Sequence, residues 1–384
     1  MIPYGRQSIS EADIEAVINV LKSDFLTQGP AVPAFEKALQ YFTKVKHAIA
    51  VNSATSGLHL ACLALGVGSG DVVWTSPITF VASANCALYC GATVDFVDID
   101  SRTYNLCVDR LIEKLIEADR SNKLPKVIIA VHLAGQSCNM RAIHELSKKY
   151  GFKIIEDASH AIGGSYENQP VGDCRYSDIT VFSFHPVKII TTGEGGAVLT
   201  NNSLLAKKMI SLRSHGITRD ESEMTHASDG NWYYQQIDLG YNYRMTDMQA
   251  ALGFSQIQRI EQFVKARHDL ASRYNKLLAD LPVTLPYQIE SSYSAFHLYV
   301  IRLQLKRINK THREVFDALR NAGIGVNLHY IPVHTQPYYR NLKNDHHLPE
   351  SEKYYQEAIS LPIFSQMDYG QQDKVISSLK GILL

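Results

Sequence analysis

Phe152-Lys153-Ile154-Ile155-Glu156-Asp157-Ala158-Ser159-His160 is the stretch on which the fold turns. A short apolar run of this kind predicts a buried strand that carries Asp157 to its C-terminal end. In open α/β sheets ligands bind just outside those carboxyl ends. On both sides of it the pattern alternates. Strands are predicted at His47–Val51, Val72–Thr75, Thr93–Val97, Lys126–His132 and Ile179–Phe184, with helices at Thr55–Leu65, Ala82–Tyr89, Leu111–Ala118 and Met140–Tyr150. Such alternation predicts an α/β fold, a mostly parallel sheet covered by helices.

Two helices, Asp13–Leu21 and Val32–Tyr41, are expected ahead of the first strand, separated by Thr27-Gln28-Gly29-Pro30. After Met245-Thr246-Asp247-Met248-Gln249-Ala250-Ala251 one long helical pattern runs to about Leu281. The remainder combines a strand at Tyr299–Leu305 with helices at Arg313–Ala322 and Gln371–Ile382, which reads as a smaller α+β unit. The expected division is a large domain over residues 1–255, including the N-terminal segment, and a small C-terminal domain over 256–384.

Composition narrows the class of function. The chain has 384 residues, 45% hydrophobic and 20% charged, enough for a large core. Lys plus Arg and Asp plus Glu both number 38, so no net charge marks a nucleic-acid or membrane surface. The start, Met1-Ile2-Pro3-Tyr4-Gly5-Arg6, has no apolar core of signal-peptide length, and no apolar run approaches a membrane span. The six cysteines show no CxxC pair, the fifteen histidines no HExxH, and His346-His347 reads as an isolated exposed pair. A cytoplasmic protein with free thiols and no metal site is expected.

Chemistry enters with Ser183-Phe184-His185-Pro186-Val187-Lys188, followed by Ile189-Ile190-Thr191-Thr192-Gly193-Glu194-Gly195-Gly196. Desolvation among apolar residues favours the neutral, nucleophilic amine, so Lys188 is a candidate to hold a carbonyl cofactor as a Schiff base. Alone, it reads first as a lysine whose stem packs while its head reaches water, as most lysines near strand ends do. Asp157, on its own strand end, is placed to face a ring nitrogen. The junction Val51-Asn52-Ser53-Ala54-Thr55-Ser56-Gly57-Leu58 leads a strand into a helix, whose free N–H groups and hydroxyl residues suit a phosphate. Plain capping explains that junction equally well. With Ser183 beside Lys188 it makes a phosphate cup next to an amine. Gly66-Val67-Gly68-Ser69-Gly70 follows a helix and precedes a strand, the wrong context for a dinucleotide fingerprint.

In this order, Leu26-Thr27-Gln28-Gly29-Pro30, Glu156-Asp157-Ala158-Ser159-His160, Ser183 to Lys188 and Gly240-Tyr241-Asn242-Tyr243-Arg244-Met245-Thr246-Asp247 resemble the DegT/DnrJ/EryC1/StrS sugar aminotransferases across essentially the whole chain. The resemblance implies the fold type I aminotransferase scaffold with a seven-stranded sheet, and pyridoxal 5′-phosphate, or its pyridoxamine form, as cofactor. It implies that Lys188 carries the cofactor and then moves the proton, and that Asp157 keeps the ring nitrogen protonated. It implies phosphate contacts from Thr55, Ser56 and Ser183. It also implies that Asn242 of a neighbouring subunit joins them, making an active site shared within a homodimer.

Phe80 matches the aromatic that stacks on the ring, with a core phenylalanine as the plain alternative. His160 stands where the family often has Gln, touching the cofactor's 3′ oxygen; a helix-start histidine is its plain alternative. His185, His329 and Tyr330 fall where the family lines its sugar pocket, and equally suit packed residues. Ile2-Pro3-Tyr4-Gly5-Arg6-Gln7 and His329-Tyr330-Ile331-Pro332-Val333-His334 look most like the branch that aminates C4 of a UDP-linked 4-keto-6-deoxy sugar towards pseudaminic acid. L-Glutamate is the implied donor, with ping-pong kinetics. Three other readings stand beside it: an aminotransferase for another dTDP- or UDP-linked 3- or 4-keto-sugar, a dehydratase of the same scaffold, and a cofactor-binding regulator without turnover. The dehydratases carry His in place of the lysine, which Lys188 argues against.

Overall fold

The computed structural model describes residues 1–342 and 347–384, so His346 of the histidine pair lies outside the described residues. Seven runs form one sheet: His47–Val51 (β1), Val72–Thr75 (β2), Thr93–Phe96 (β3), Val127–Val131 (β4), Lys153–Asp157 (β5), Ile179–Ser183 (β6) and Gly196–Thr200 (β7). The spatial order is β1-β7-β6-β5-β4-β2-β3. The pairs β2/β3, β2/β4, β4/β5 and β5/β6 are parallel, whereas β7 runs antiparallel to both β1 and β6. A direct return from β6 without a covering helix can only produce an antiparallel neighbour. The returning segment is the one that carries Lys188, which therefore lies beyond the carboxyl end of β6.

Successive residues along each strand face opposite sides, and each side has its own helices. Ile49, Val51, Val73, Ile129, Ile155, Val181 and Val198 pack with the helices Ala54–Ala64, Ala82–Tyr89 and Ser203–Arg213. On the other side, Ala48, Phe182 and Leu199 meet Ala31–Thr43 and Asp247–Ile257, and Trp74, Ile128 and Ile154 meet Val108–Arg120 and Met140–Tyr150. Burial on both faces explains why these strands read as continuous apolar runs.

A second sheet, Val283–Thr284 (β8), Tyr299–Leu303 (β9) and Ala358–Leu361 (β10), is antiparallel and packs with His312–Asn321 and Tyr369–Leu383 around a separate core. Two expectations change here. The N-terminal segment does not begin in the large unit: Ile2–Pro3 pairs in parallel with Ile324–Gly325, and Ile2 is buried in the second core. The expected long helix is two, Asp247–Ile257 and Ile260–Leu277, because Arg259 leaves helical geometry and its guanidinium, with Ser255 and Gln256, turns onto buried Asp13. The second helix serves both cores, its Phe263 and Val264 packing with the large unit and Leu270 to Leu278 with the small one. We propose a domain division at the junction of these two helices, a few residues beyond the expected residue 255.

The Thr27-Gln28-Gly29-Pro30 and Met245-Thr246-Asp247 segments meet. Thr246 caps its helix in a capping box with Gln249, and the Asp247 carboxylate accepts from Gly29 N and Ala31 N, both at 3.0 Å. A side chain at Gly29 would overlap that carboxylate. All six cysteines are free thiols. Among the described residues no helix is long and apolar enough to cross a membrane, and no group of His, Cys, Asp and Glu is arranged to hold a metal.

Candidate active site

The carboxyl ends of β1, β4, β5 and β6 open into a cavity of about 550 Å³, within the range of small-molecule sites. Of the residues singled out from sequence, Lys188, Asp157, His160, Thr55, Phe80, Ser183, His185, His329 and Tyr330 all line it. They come from segments far apart in the chain and meet only through the sheet order.

Asp157 ends β5 and is buried. Its Oδ2 accepts from Ser83 Oγ at 2.6 Å, and its Oδ1 from Ser159 Oγ at 2.6 Å and Ser159 N at 3.2 Å. Ser83 in turn contacts Thr79 Oγ1 at 2.7 Å. A carboxylate fixed by three donors keeps one orientation and remains an acceptor towards the cavity. Burial draws the Lys188 amine down to about 8, with Asp157 pulling the other way. Near neutral pH a useful fraction of this amine is nucleophilic, as the apolar neighbours in the sequence suggested.

The turn after β1 supplies an anion site. Ser53 caps Ala54–Ala64 by accepting from Ser56 N at 3.1 Å, which leaves the N–H groups of Ala54 and Thr55 without an acceptor among the described residues. Free N–H groups at a helix start favour an anion. Ser183 faces the same cavity from the end of β6. Strand β7 abuts the turn so closely that a Cβ at Gly196 would lie 2.6 Å from Ala54 N. Only glycine permits that approach, which closes the cup from one side.

One expected contact falls elsewhere. Ser56 does not line the cavity: its hydroxyl donates to Asn52 Oδ1 at 2.7 Å and it is buried in the cap. Its place three residues after the cap aims it back along the turn. Asn242 is exposed and outside the cavity, its carbonyl accepting from Asn52 Nδ2 at 3.4 Å.

The opposite wall is made of neutral rings. His329 contacts Ser360 Oγ through Nδ1 at 2.8 Å and Asn327 Nδ2 through Nε2 at 3.3 Å. Burial, then the charge of Lys188, holds it down to about 3. His160 is pushed well below the ordinary value by the same two causes in the same order. Phe80 stands 59% exposed at the rim, its ring 6.2 Å from that of Tyr330.

Sequence reading missed His297, Tyr4 and Asn327, which also line the cavity. His297 is buried, its ring 4.4 Å from His160, and its Nδ1 has no hydrogen-bond partner among the described residues. A polar ring in the apolar run Ala295-Phe296-His297-Leu298-Tyr299, just ahead of β9, was the available signal. Behind it the buried guanidinium of Arg267 donates to the carbonyls of Phe296, His297 and Ile363. Tyr4 reaches the cavity because Ile2–Pro3 is pinned to the small unit, which sets its ring 5.0 Å from His329.

An amine of lowered basicity, an oriented carboxylate and an anion-binding helix start, all at the carboxyl ends of one mostly parallel sheet, define a pyridoxal-phosphate enzyme of fold type I. The donor set suits each part of that cofactor: the helix start its phosphate, the amine its aldehyde and the carboxylate its ring nitrogen. The chain belongs to the DegT/DnrJ/EryC1/StrS aminotransferase family, whose model matches residues 7–380. It is a pyridoxal-phosphate-dependent aminotransferase. It is 38% identical to the UDP-4-amino-4,6-dideoxy-N-acetyl-beta-L-altrosamine transaminase of Campylobacter jejuni, covering 100% of this chain and 98% of that one. With the spore coat polysaccharide biosynthesis protein SpsC of Bacillus subtilis it shares 36% identity over 100% and 97%. Helicobacter pylori PseC, an aminotransferase involved in the biosynthesis of pseudoaminic acid, superposes with a TM-score of 0.91 at 33% identity, covering 100% of this chain and 99% of that one.

Proposed function

We propose that this enzyme moves an amino group from L-glutamate to C4 of a UDP-linked 4-keto-6-deoxy-N-acetylhexosamine, giving UDP-4-amino-4,6-dideoxy-N-acetyl-β-L-altrosamine for pseudaminic acid. The observation that carries the reading is the meeting of Lys188 and Asp157 with the His329-Tyr330 segment in one cavity. The whole-length likeness to the Campylobacter transaminase and to PseC supports the sugar.

When bound, pyridoxal phosphate supplies an aldehyde that carries the amino group and a ring that withdraws electrons. Lys188 would hold it through Nζ, and that amine, when free and neutral, would carry a proton between the substrate carbon and the cofactor. Asp157, held by Ser83 and Ser159, keeps the ring nitrogen protonated. Ser183 and the N–H groups of Ala54 and Thr55 hold the phosphate, joined by the Thr55 hydroxyl. Ser56 acts at one remove, through the cap. Phe80 covers the ring face. His185 and His329 face the sugar.

We further propose a homodimer in which each subunit lends Asn242 to the other's cavity. Its exposure, with exposed Trp232, Tyr234 and Leu239 on the segment before it, supports that reading. A cytoplasmic location accords with six free thiols.

The test is a half-reaction on dialysed protein loaded with pyridoxal phosphate. Glutamate should remove the aldehyde-form absorption band, and the UDP-N-acetyl keto-sugar alone should restore it. No response to glutamate sinks the donor assignment; restoration only by a dTDP-linked keto-sugar sinks the substrate. The second reading, another nucleotide-linked 3- or 4-keto-sugar, is favoured by the near-equal 36% and 38% identities to differently named relatives.

A further inference from the structure

One backbone group sets the direction of hydrogen bonding around His160. Ala134 N–H donates to His160 Nδ1 at 3.2 Å, so that nitrogen is bare and the proton of the neutral ring is on Nε2. Nε2 lies 3.0 Å from Tyr330 Oη, and therefore donates to it. Both ring nitrogens of His160 are thereby committed. Tyr330 lines the cavity, and its hydroxyl hydrogen has no acceptor among the described residues.

We propose that Tyr330, and not His160, gives the hydrogen bond to the phenolic oxygen of pyridoxal phosphate, with His160 as a positioning residue that orients the phenol. The two rings lie near parallel, 23° apart with centroids at 6.0 Å, so His160 sets the pose as well as the polarity of the hydroxyl. The arrangement holds over the working pH range. Burial, then Asp157, raises the phenol above its ordinary value, and burial, then Lys188, keeps His160 neutral. This inference rests on the cofactor and is independent of which sugar is aminated.

Two measurements test it. In cofactor-free protein with ¹⁵N-labelled histidine, His160 should show the Nε2–H tautomer and no titration between about pH 5 and 9. Tyr330→Phe should keep that tautomer, set by Ala134, and shift the Nε2 proton resonance. An Nδ1–H tautomer overturns the proposal. In loaded protein, loss of the donor should raise the pH at which the bound chromophore takes up its proton. Tyr330→Phe is expected to raise it by about one unit.

His160→Leu should shift the transition in the same direction, and His160→Gln, whose amide can accept from Ala134 and donate to Tyr330, should restore it. If Tyr330→Phe leaves the transition in place while His160→Leu moves it, His160 is the donor and the proposal falls. It falls equally if Tyr330→Phe impairs only the keto-sugar half-reaction. The wild-type response to glutamate and sugar is scored separately, so failure of the substrate reading leaves this result standing.

Discussion

The two walls of the cavity are built on opposite plans. One wall is strand ends and a helix start, with Asp157 on β5, Ser183 on β6 and Ser53 to Thr55 after β1, and it carries the charges. The other comes from Asn327 to Tyr330, His297 and Tyr4, and carries rings that burial keeps neutral. Strand ends within a close-packed sheet hold charged groups to one geometry, which reaction chemistry needs. The neutral wall offers hydrogen bonds and shape, which recognition needs. The charged wall should thus govern both half-reactions, and the neutral wall, Tyr330 with its proposed cofactor contact apart, mainly the second.

The largest expected effect comes from the charged wall. Lys188→Ala should lower turnover by about 10⁴-fold or more with either substrate, and abolish borohydride trapping of the cofactor on the chain. A variant retaining trapping would remove Lys188 from its role. Asp157→Asn should leave the cofactor bound while slowing the glutamate half-reaction by about 10²–10³-fold in stopped flow. His297→Ala sharpens the comparison from the other side. The keto-sugar half-reaction is expected to slow about tenfold while the glutamate step changes little; equal loss in both would erase the distinction between the walls.

Acidity gives a fourth test. The folded Lys188 value, about 8, lies below the ordinary 10.5, so burial of the charged amine costs stability in full below pH 8. That cost fades as pH rises from 8 to 10.5, because the folded state gives up its proton first. Lys188→Met should therefore stabilise cofactor-free protein by about 1–3 kcal/mol at pH 7 and by almost nothing near pH 10.5, read by urea unfolding. The smallest effect is expected at Ser56. Ser56→Ala should cost about 1 kcal/mol of stability and leave cofactor affinity unchanged, whereas Ser183→Ala should weaken retention about tenfold. Equal loss of retention in both would return Ser56 to the phosphate.

What was legible in the sequence followed from local physics. The six strands read from apolar runs are present, because burial on both faces demands such runs. The seventh, Gly196–Thr200, was not located, because a glycine-rich approach disguises a strand whose glycine is needed for packing against Ser53-Ala54. His297 escaped because its neighbours read as the start of an ordinary strand. Ser56 was drawn into the site because a hydroxyl's direction along a helix turn is invisible in spacing.

The sequence by itself determined the α/β class, the strand ends that carry Asp157 and Ser183, the candidate amine of Lys188 and the anion-binding turn, since each depends on residues close together in the chain. Only the tertiary structure decided that Tyr4 belongs to the cavity, that Asp247 ties the Gly29 turn, and that His160 is turned towards Tyr330. Those depend on contacts between segments separated by a hundred residues or more, whose geometry is set when helices pack and strands choose their neighbours.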